Sequence, residues 1–223
     1  MRLLLPLAFL LTAAISAPAG DVVLDRIIAS ANAAGPANLA FDRTTTMVKK
    51  GGPMNTRTVL VERWDGKRWH LVTFNGKPPT PEKRREVEPA TRAVPVPGYY
   101  RLAALVAAAT ERRTDAEGRL VLIIPRLPDQ AVRTDDKDIS RYLSGEAVID
   151  SAGGQPYVAR LTLRSHENFK LNFLITVKHF EQVSEFAPAA DGPPRLISES
   201  ASSQGSLLGV PGGMKSETVF AYR

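Results

Sequence analysis

No cysteine occurs in the 223 residues. Disulfides, thiolate metal sites and the acylated cysteine of an N-terminal lipoprotein are therefore excluded together. Histidine is scarce too. His70, His166 and His179 stand singly, without HExxH or His-x-His spacing, so no metal centre is expected. There is no G-x-S-x-G elbow, and the nearest run, Gly205-Ser206-Leu207-Leu208-Gly209, has the wrong spacing for a nucleophile. Walker and G-x-G-x-x-G loops are missing as well. Aromatic residues make up only 7% of the chain and most acidic residues fall in turns. That leaves little to stack or protonate a sugar, although a carboxylate pair is defined only in space. Neither an enzyme nor a cofactor is expected. Beyond Gly20 no apolar run approaches the ~20 residues that a membrane-spanning helix requires.

What the chain does have begins with MRLLLPLAFLLTAAISAPAG: Arg2, an apolar core from Leu3 to Ile15, then Ala17 and Ala19. This is the order of a secretory signal peptide, residues 1–19, with an A-x-A cleavage pattern. Cleavage after Ala19 is favoured, because cleavage after Ala17 would leave Pro18 just past the scissile bond; an uncleaved membrane anchor is the alternative. Removal of the leader leaves about 204 residues, 20–223, a length that suits a single domain. The formal charge of +6 falls by one with Arg2. For an exported, periplasmic protein this argues against nucleic acid and for an acidic partner such as an anionic membrane surface. A soluble basic surface is the plainer reading of the same charge. A monomer is expected.

The most legible stretch runs from Arg141 to Phe186. RYLSGEAVID, PYVARLTLR and FKLNFLITVKHFEQVSEF are separated by SAGGQ and SHEN. Tyr157, Ala159, Leu161 and Leu163 alternate with Val158, Arg160, Thr162 and Arg164. Phe169, Leu171, Phe173, Ile175 and Val177 alternate with mostly polar residues. A period of two and short turns predict an antiparallel meander of long, half-buried strands. Upstream, DVVLDRIIASANAA predicts a short amphipathic helix stopped by Gly35-Pro36. A Thr-rich strand is expected over Leu39 to Lys50, closed by KKGGP. Thr56 to Trp64 and Lys67 to Asn75 are expected to form a hairpin about Asp65-Gly66, a dipeptide suited to a two-residue type I′ turn. Both tryptophans then share one face, closing a core or anchoring a ligand.

Asn75 to Pro97 holds six prolines and the basic knot Lys83-Arg84-Arg85. It reads as a surface excursion of extended or polyproline character, either a solvated loop or a partner-docking flap. GYYRLAALVAAAT, Gly98 to Thr110, predicts a helix apolar on nearly every side except Arg101, which needs cover all round. A turn over Glu111 to Gly118 and a short buried strand over Arg119 to Ile124 follow. RLISESASSQ, from Arg195, is small and polar on both faces after Ile197. It suits either an exposed edge or a wall kept narrow so that something fits beside it. Gly205 to Gly213 reads as a glycine-rich turn before a last strand from Met214.

The order of these elements, with the phrases WDGK, GKPPTP and FKL…VKHFEQ and the polar SxSSQGS strand, resembles the LolA/LolB-like superfamily, and within it exported proteins of the outer-membrane lipoprotein-sorting type. The resemblance covers roughly Leu39 to Arg223. It implies an α+β fold, mainly antiparallel β: an incomplete (half) β-barrel whose hydrophobic concave side is covered by helices and accepts acyl chains. The arginine that gates the lid in the well-studied carriers is not mapped to any residue here. The missing cysteine sets the chain apart from the membrane-anchored receptor branch. On this footing the expected function is a periplasmic carrier or binding protein for a hydrophobic ligand, a lipoprotein acyl chain or other lipid. The alternative is an envelope scaffold or sensor that fills its own concave side and contacts other envelope proteins. Candidate cavity residues are Trp64, Trp69, Leu71, Tyr100, Leu102, Leu105, Leu161, Leu163, Phe173 and Ile175. Candidate headgroup or partner contacts are Arg101, Lys83, Arg84 and Arg85.

Overall fold

The computed structural model describes residues 21–35, 39–51, 55–92, 96–134 and 137–223. The leader and its cleavage site, the Pro36 stop and Gly52-Pro53 lie outside the described residues. The first element is helix α1, Val22–Ala34, whose N-cap Asp21 accepts from the Val23 amide and whose buried stripe is Ile27 and Ala31. Strands β1 (Phe41–Lys50), β2 (Thr56–Trp64) and β3 (Trp69–Phe74) follow, then helix α2 (Pro81–Arg92). A 3-10 turn, Tyr99–Arg101, leads into helix α3 (Leu102–Ala107). Strands β4 (Glu111–Thr114) and β5 (Leu120–Ile124) come next, then the small pair β6 (Arg133–Thr134) and β7 (Lys137–Asp138). The long strands are β8 (Leu143–Ala152), β9 (Gln155–Ser165), β11 (Ile175–Ala187), β12 (Arg195–Leu207) and β13 (Val210–Tyr222), with two-residue β10 (Phe169–Lys170) beside β11. No helix among the described residues is long and apolar enough to cross a membrane.

One antiparallel sheet takes the order β3-β2-β1-β13-β12-β11-β9-β8-β5-β4, with β10 attached to β11. It is open: β3 and β4 are its edges. Register decides which side chains share a face, because directly opposed residues point the same way. One face carries Leu122 and Ile124 of β5, Ala147 and Ile149 of β8, and Leu161 and Leu163 of β9. The same face continues through Ser184 and Phe186 of β11 and Glu199 of β12 to Thr218 and Phe220 of β13, then Phe41 of β1 and Trp64 of β2. Ile27, Ala31, Leu102, Leu105 and Val106 of the helices join its buried residues in a single cluster. The opposite face is polar, and cross-strand ion pairs such as Arg160–Glu185 and Arg164–Glu181 decorate it.

Several expectations are corrected. The Pro-rich segment is not extended but contains α2. Pro81 takes the first helical position, where its missing N–H costs nothing, and Thr80 caps the Lys83 amide. Glu82–Arg85, Lys83–Glu86 and Arg84–Glu88 then support the turns at i,i+3 and i,i+4. Pro89 sits inside the helix, near its end. The β2–β3 connection has four residues, not two. Asp65 accepts from the Lys67 and Arg68 amides, and Gly66 supplies a φ of 90°. Trp64 and Trp69 are nevertheless directly opposed and share a face.

The expected Gly98–Thr110 helix is reduced to the 3-10 turn and six-residue α3, and Glu111–Thr114 is strand rather than turn. The run from Phe169 is broken at residues 171–174, where the Asn172 side chain accepts from the Leu174 and Ile175 amides and turns the chain. Phe173 therefore stands 90% exposed instead of on a core face. A register shift opposite Val148/Ile149 brings Val158 into the core in place of Tyr157 and Ala159. β12 pairs on both sides, with β11 and β13, so the exposed-edge reading of RLISESASSQ falls. Its glycine-rich continuation is mostly strand, with the turn confined to Leu208-Gly209.

Candidate binding site on the helix-bearing face

The core-bearing face of the sheet divides in two. Over β5, β8 and β9 it is apolar and packed. Tyr99 anchors that packing: its ring meets Phe186 edge-on at 5.4 Å, and its hydroxyl accepts from the buried Val158 amide at 3.0 Å. The register shift leaves that amide facing the helices, so the tyrosine satisfies a donor the ladder does not. Burial pushes the Tyr99 phenol up to about 12. Gly145 keeps the layer close, since a Cβ there would meet Leu163 and Ile124 at 3.1 and 3.3 Å.

Over β1, β13 and β12 the same face is apolar at one end, where Phe41 meets Phe220, Tyr222 and Trp69, and turns small and polar farther along. The Thr45 and Thr218 hydroxyls lie 3.0 Å apart across strands. Half-buried Glu199 is opposed to Thr218 on one side and Ser184 on the other, and its side chain takes the Ser184 hydroxyl at 3.4 Å. Burial raises its carboxyl above the ordinary glutamate value, against the opposing pull of Arg101, Ser184, Arg43 and Gln182. Next to it Arg43 donates to Glu62 at 2.8 Å and lies over the Trp69 ring at 4.0 Å. The other Glu62 oxygen takes the Thr91 hydroxyl at 2.6 Å, which ties the far end of α2 to the sheet. The near end is tied by Arg84, whose guanidinium donates to the Leu71 carbonyl at 2.9 Å.

Between α2 and the strands a cavity of about 210 Å³ remains. Met47, Leu60, Phe74 and Val87 supply apolar walls, and Lys49, Thr56, Thr58 and Glu86 the polar ones. Except for Val87 and Glu86 of α2, all of these come from the same face of β1, β2 and β3.

The candidate residues of the sequence reading separate accordingly. Trp69, Leu102, Leu105, Leu161 and Leu163 belong to the buried cluster, with Trp64 packed against it, and Leu71 is buried as well. Tyr100 is half-buried and donates to the Val96 carbonyl. Ile175 is half-buried and opposes Leu207, far along the strands from Leu161. Arg101 donates to the Ala131 carbonyl, and its charge favours the ionised form of Glu199. Lys83, Arg84 and Arg85 are not an unpaired basic knot but partners of Glu86, Glu88 and Glu82. Sequence reasoning missed Arg43, Glu62, Thr91 and Glu199, because only the register brings them together. The cavity walls Met47, Leu60, Phe74 and Val87 were missed with them. Comparison of the chain with protein-family models, with curated proteins and with solved structures finds no match in any of the three.

Proposed function

We propose that the protein is an exported, periplasmic binding protein for an amphipathic molecule bearing an apolar chain, a lipid or a lipoprotein acyl group. In this reading the open sheet curls as a half-barrel and the helices cover its concave side. The observation that carries it is the unfilled space between α2 and β1–β3, with apolar walls from Met47, Leu60, Phe74 and Val87 and polar ones from Lys49, Thr56, Thr58 and Glu86. Size limits what enters. About 210 Å³ is below the ~300 Å³ at which pockets for small molecules begin. Burying ten methylenes is worth about 8 kcal/mol, enough for micromolar binding at best after ordering costs. A chain of that length requires α2 to swing off the sheet. The helix is suited to that motion, since it touches β3 chiefly and is held by the two polar ties from Arg84 and Thr91.

The test is a titration of the exported protein with a fluorescent fatty-acyl probe, alongside native mass spectrometry of protein recovered from the envelope. Leu60→Glu is expected to weaken probe binding tenfold or more, and Arg84→Ala to speed probe uptake by loosening α2. If the wild-type protein binds no probe and carries no lipid, the binding reading fails. An envelope scaffold then takes its place, a reading favoured by the filled core beneath α1 and α3.

A further inference from the structure

We infer that the end of the sheet formed by the β10–β11 and β12–β13 turns is a docking surface for an anionic lipid bilayer. At this end the two turns are joined, the Leu208 amide donating to the Leu174 carbonyl at 2.8 Å. Together they present Phe173, Leu207, Leu208 and Val210 to solvent, Phe173 at 90% and Leu208 at 71% exposure. Past the last β1 pair, Lys50 opposite Gly213, β12 and β13 continue through three more paired positions to Leu207 opposite Val210. Gly51 continues the β1 chain against Pro211 and Gly212.

The backbone adds an independent sign. The β12–β13 turn has two residues, both at positive φ, Leu208 at 51° and Gly209 at 83°. Asn-Gly is the comfortable occupant of such a turn, and leucine there is both strained and exposed. Folding gains nothing from that choice, whereas an apolar contact outside the chain does.

Charge identifies the partner. Lys50 and Lys215 project from the polar face of β1 and β13, Lys170 and Lys178 are exposed on β10 and β11, and Lys49 is exposed at the end of β1. None of them makes an ion pair among the described residues; Lys137 donates to the Lys170 carbonyl. The acidic residues of these segments nearest the tip are Glu167, on the turn before β10, Glu217, two positions farther from the tip than Lys215, and Glu181, three residues past Lys178 and paired with Arg164. Glu185 lies farther off, paired with Arg160, as does Asp42, paired with Arg63 and Arg223. An apolar point within a collar of lysines suits a bilayer rich in anionic lipid, where each cation adds to the attraction. Lys49 and Thr56, at the same end, also line the α2 cavity, so docking brings that side of the cavity toward the membrane. The docking claim itself does not depend on what the cavity holds.

The experiment is co-sedimentation of the exported protein with vesicles of phosphatidylcholine containing 30% phosphatidylglycerol, and with phosphatidylcholine alone. Binding to the anionic vesicles is expected, at least tenfold weaker on the neutral ones. Phe173→Asp with Leu208→Asp should lower anionic-vesicle binding tenfold or more, and Lys178→Glu with Lys215→Glu severalfold. Leu208→Asn supplies a control of opposite sign. It should raise the melting temperature, because asparagine tolerates positive φ, while weakening vesicle binding. All of these variants should bind an acyl probe as wild type does in vesicle-free solution, which separates this surface from the cavity. The inference is overturned if wild type ignores anionic vesicles or if the double aspartate variant binds them as tightly. It is equally overturned if wild type is a dimer that the aspartates render monomeric, since the tip is then a contact between copies.

Discussion

The two halves of the helix-bearing face were built under different constraints. Beneath α1 and α3, β5, β8 and β9 offer Leu122, Ile124, Ala147, Val158, Leu161 and Leu163, all buried and mutually packed. Across β12, β13 and β1 the equivalent positions are Glu199, Thr218 and Thr45, with Arg43 and Glu62 beyond. A sheet stabilised only by burial has no use for a carboxylate at Glu199, where desolvation works against its charge. The first half holds the molecule together. The second joins that core through Phe41, Phe220 and Leu196, but carries a row of polar groups through its middle at some expense of stability.

That contrast can be broken by substitution. The largest effect is expected for Leu161→Ala, which removes a buried side chain from the packed half and should cost about 2–5 kcal/mol in chemical denaturation. Thr218→Ala, on the second half, should cost about 1 kcal/mol or less, because it deletes one partly solvated hydroxyl contact. Equal losses at the two sites would erase the distinction.

Tyr99→Phe sharpens it. The ring and its contact with Phe186 survive, but the Val158 amide loses its acceptor. A buried unpaired N–H should cost about 1–3 kcal/mol, read as a lowered denaturant midpoint.

The smallest effect belongs to Glu199→Gln, and its sign depends on pH. Glu199 titrates higher in the folded than in the unfolded chain, so the folded state binds the proton more tightly. Its stabilising share is fully present below the unfolded glutamate value, near 4.3, and is lost as pH rises through the folded value. Glutamine has no charge to desolvate. The variant should melt level with wild type near pH 4 and above it at pH 8. A melting difference that does not change with pH would show that this carboxylate is not strained by burial.

Much of the packed half was legible in sequence because alternation survives there: LVLII and the Leu161-Leu163 pair announce buried strands without help from tertiary context. Val158 escaped notice because one extra residue in the ladder exchanges the faces of everything before it, and no side chain advertises a bulge. Asn172 is a comparable case. Its carboxamide folds the chain back after β10, yet in the sequence it sits inside an apolar alternation that reads as a continuous strand. The α2 segment was misjudged for a different reason. Its prolines count against a strand wherever they lie, but Pro81 is at home in a first helical turn, and KRRE is a set of i,i+3 and i,i+4 partners rather than a free charge cluster. The second half was the least legible, since Arg43, Glu62, Thr91 and Glu199 are scattered over residues 43–199 and converge only through strand register.

The place of β13 has a consequence for the order in which the chain can mature. This strand, residues 210–222, lies between β12 and β1, so the β1–β3 hairpins join the rest of the sheet only through it. A ribosome will have finished more than 150 residues after β1 before that bridge exists, and contacts so distant in sequence form slowly. Until then β1 has an unpaired edge and the molecule has two unconnected sheets, neither with a complete core. If the chain is exported as proposed, this delay is useful, because an unfinished sheet is easier to thread through a translocation pore. The polypeptide stays slack until the moment its last long strand slots into the gap.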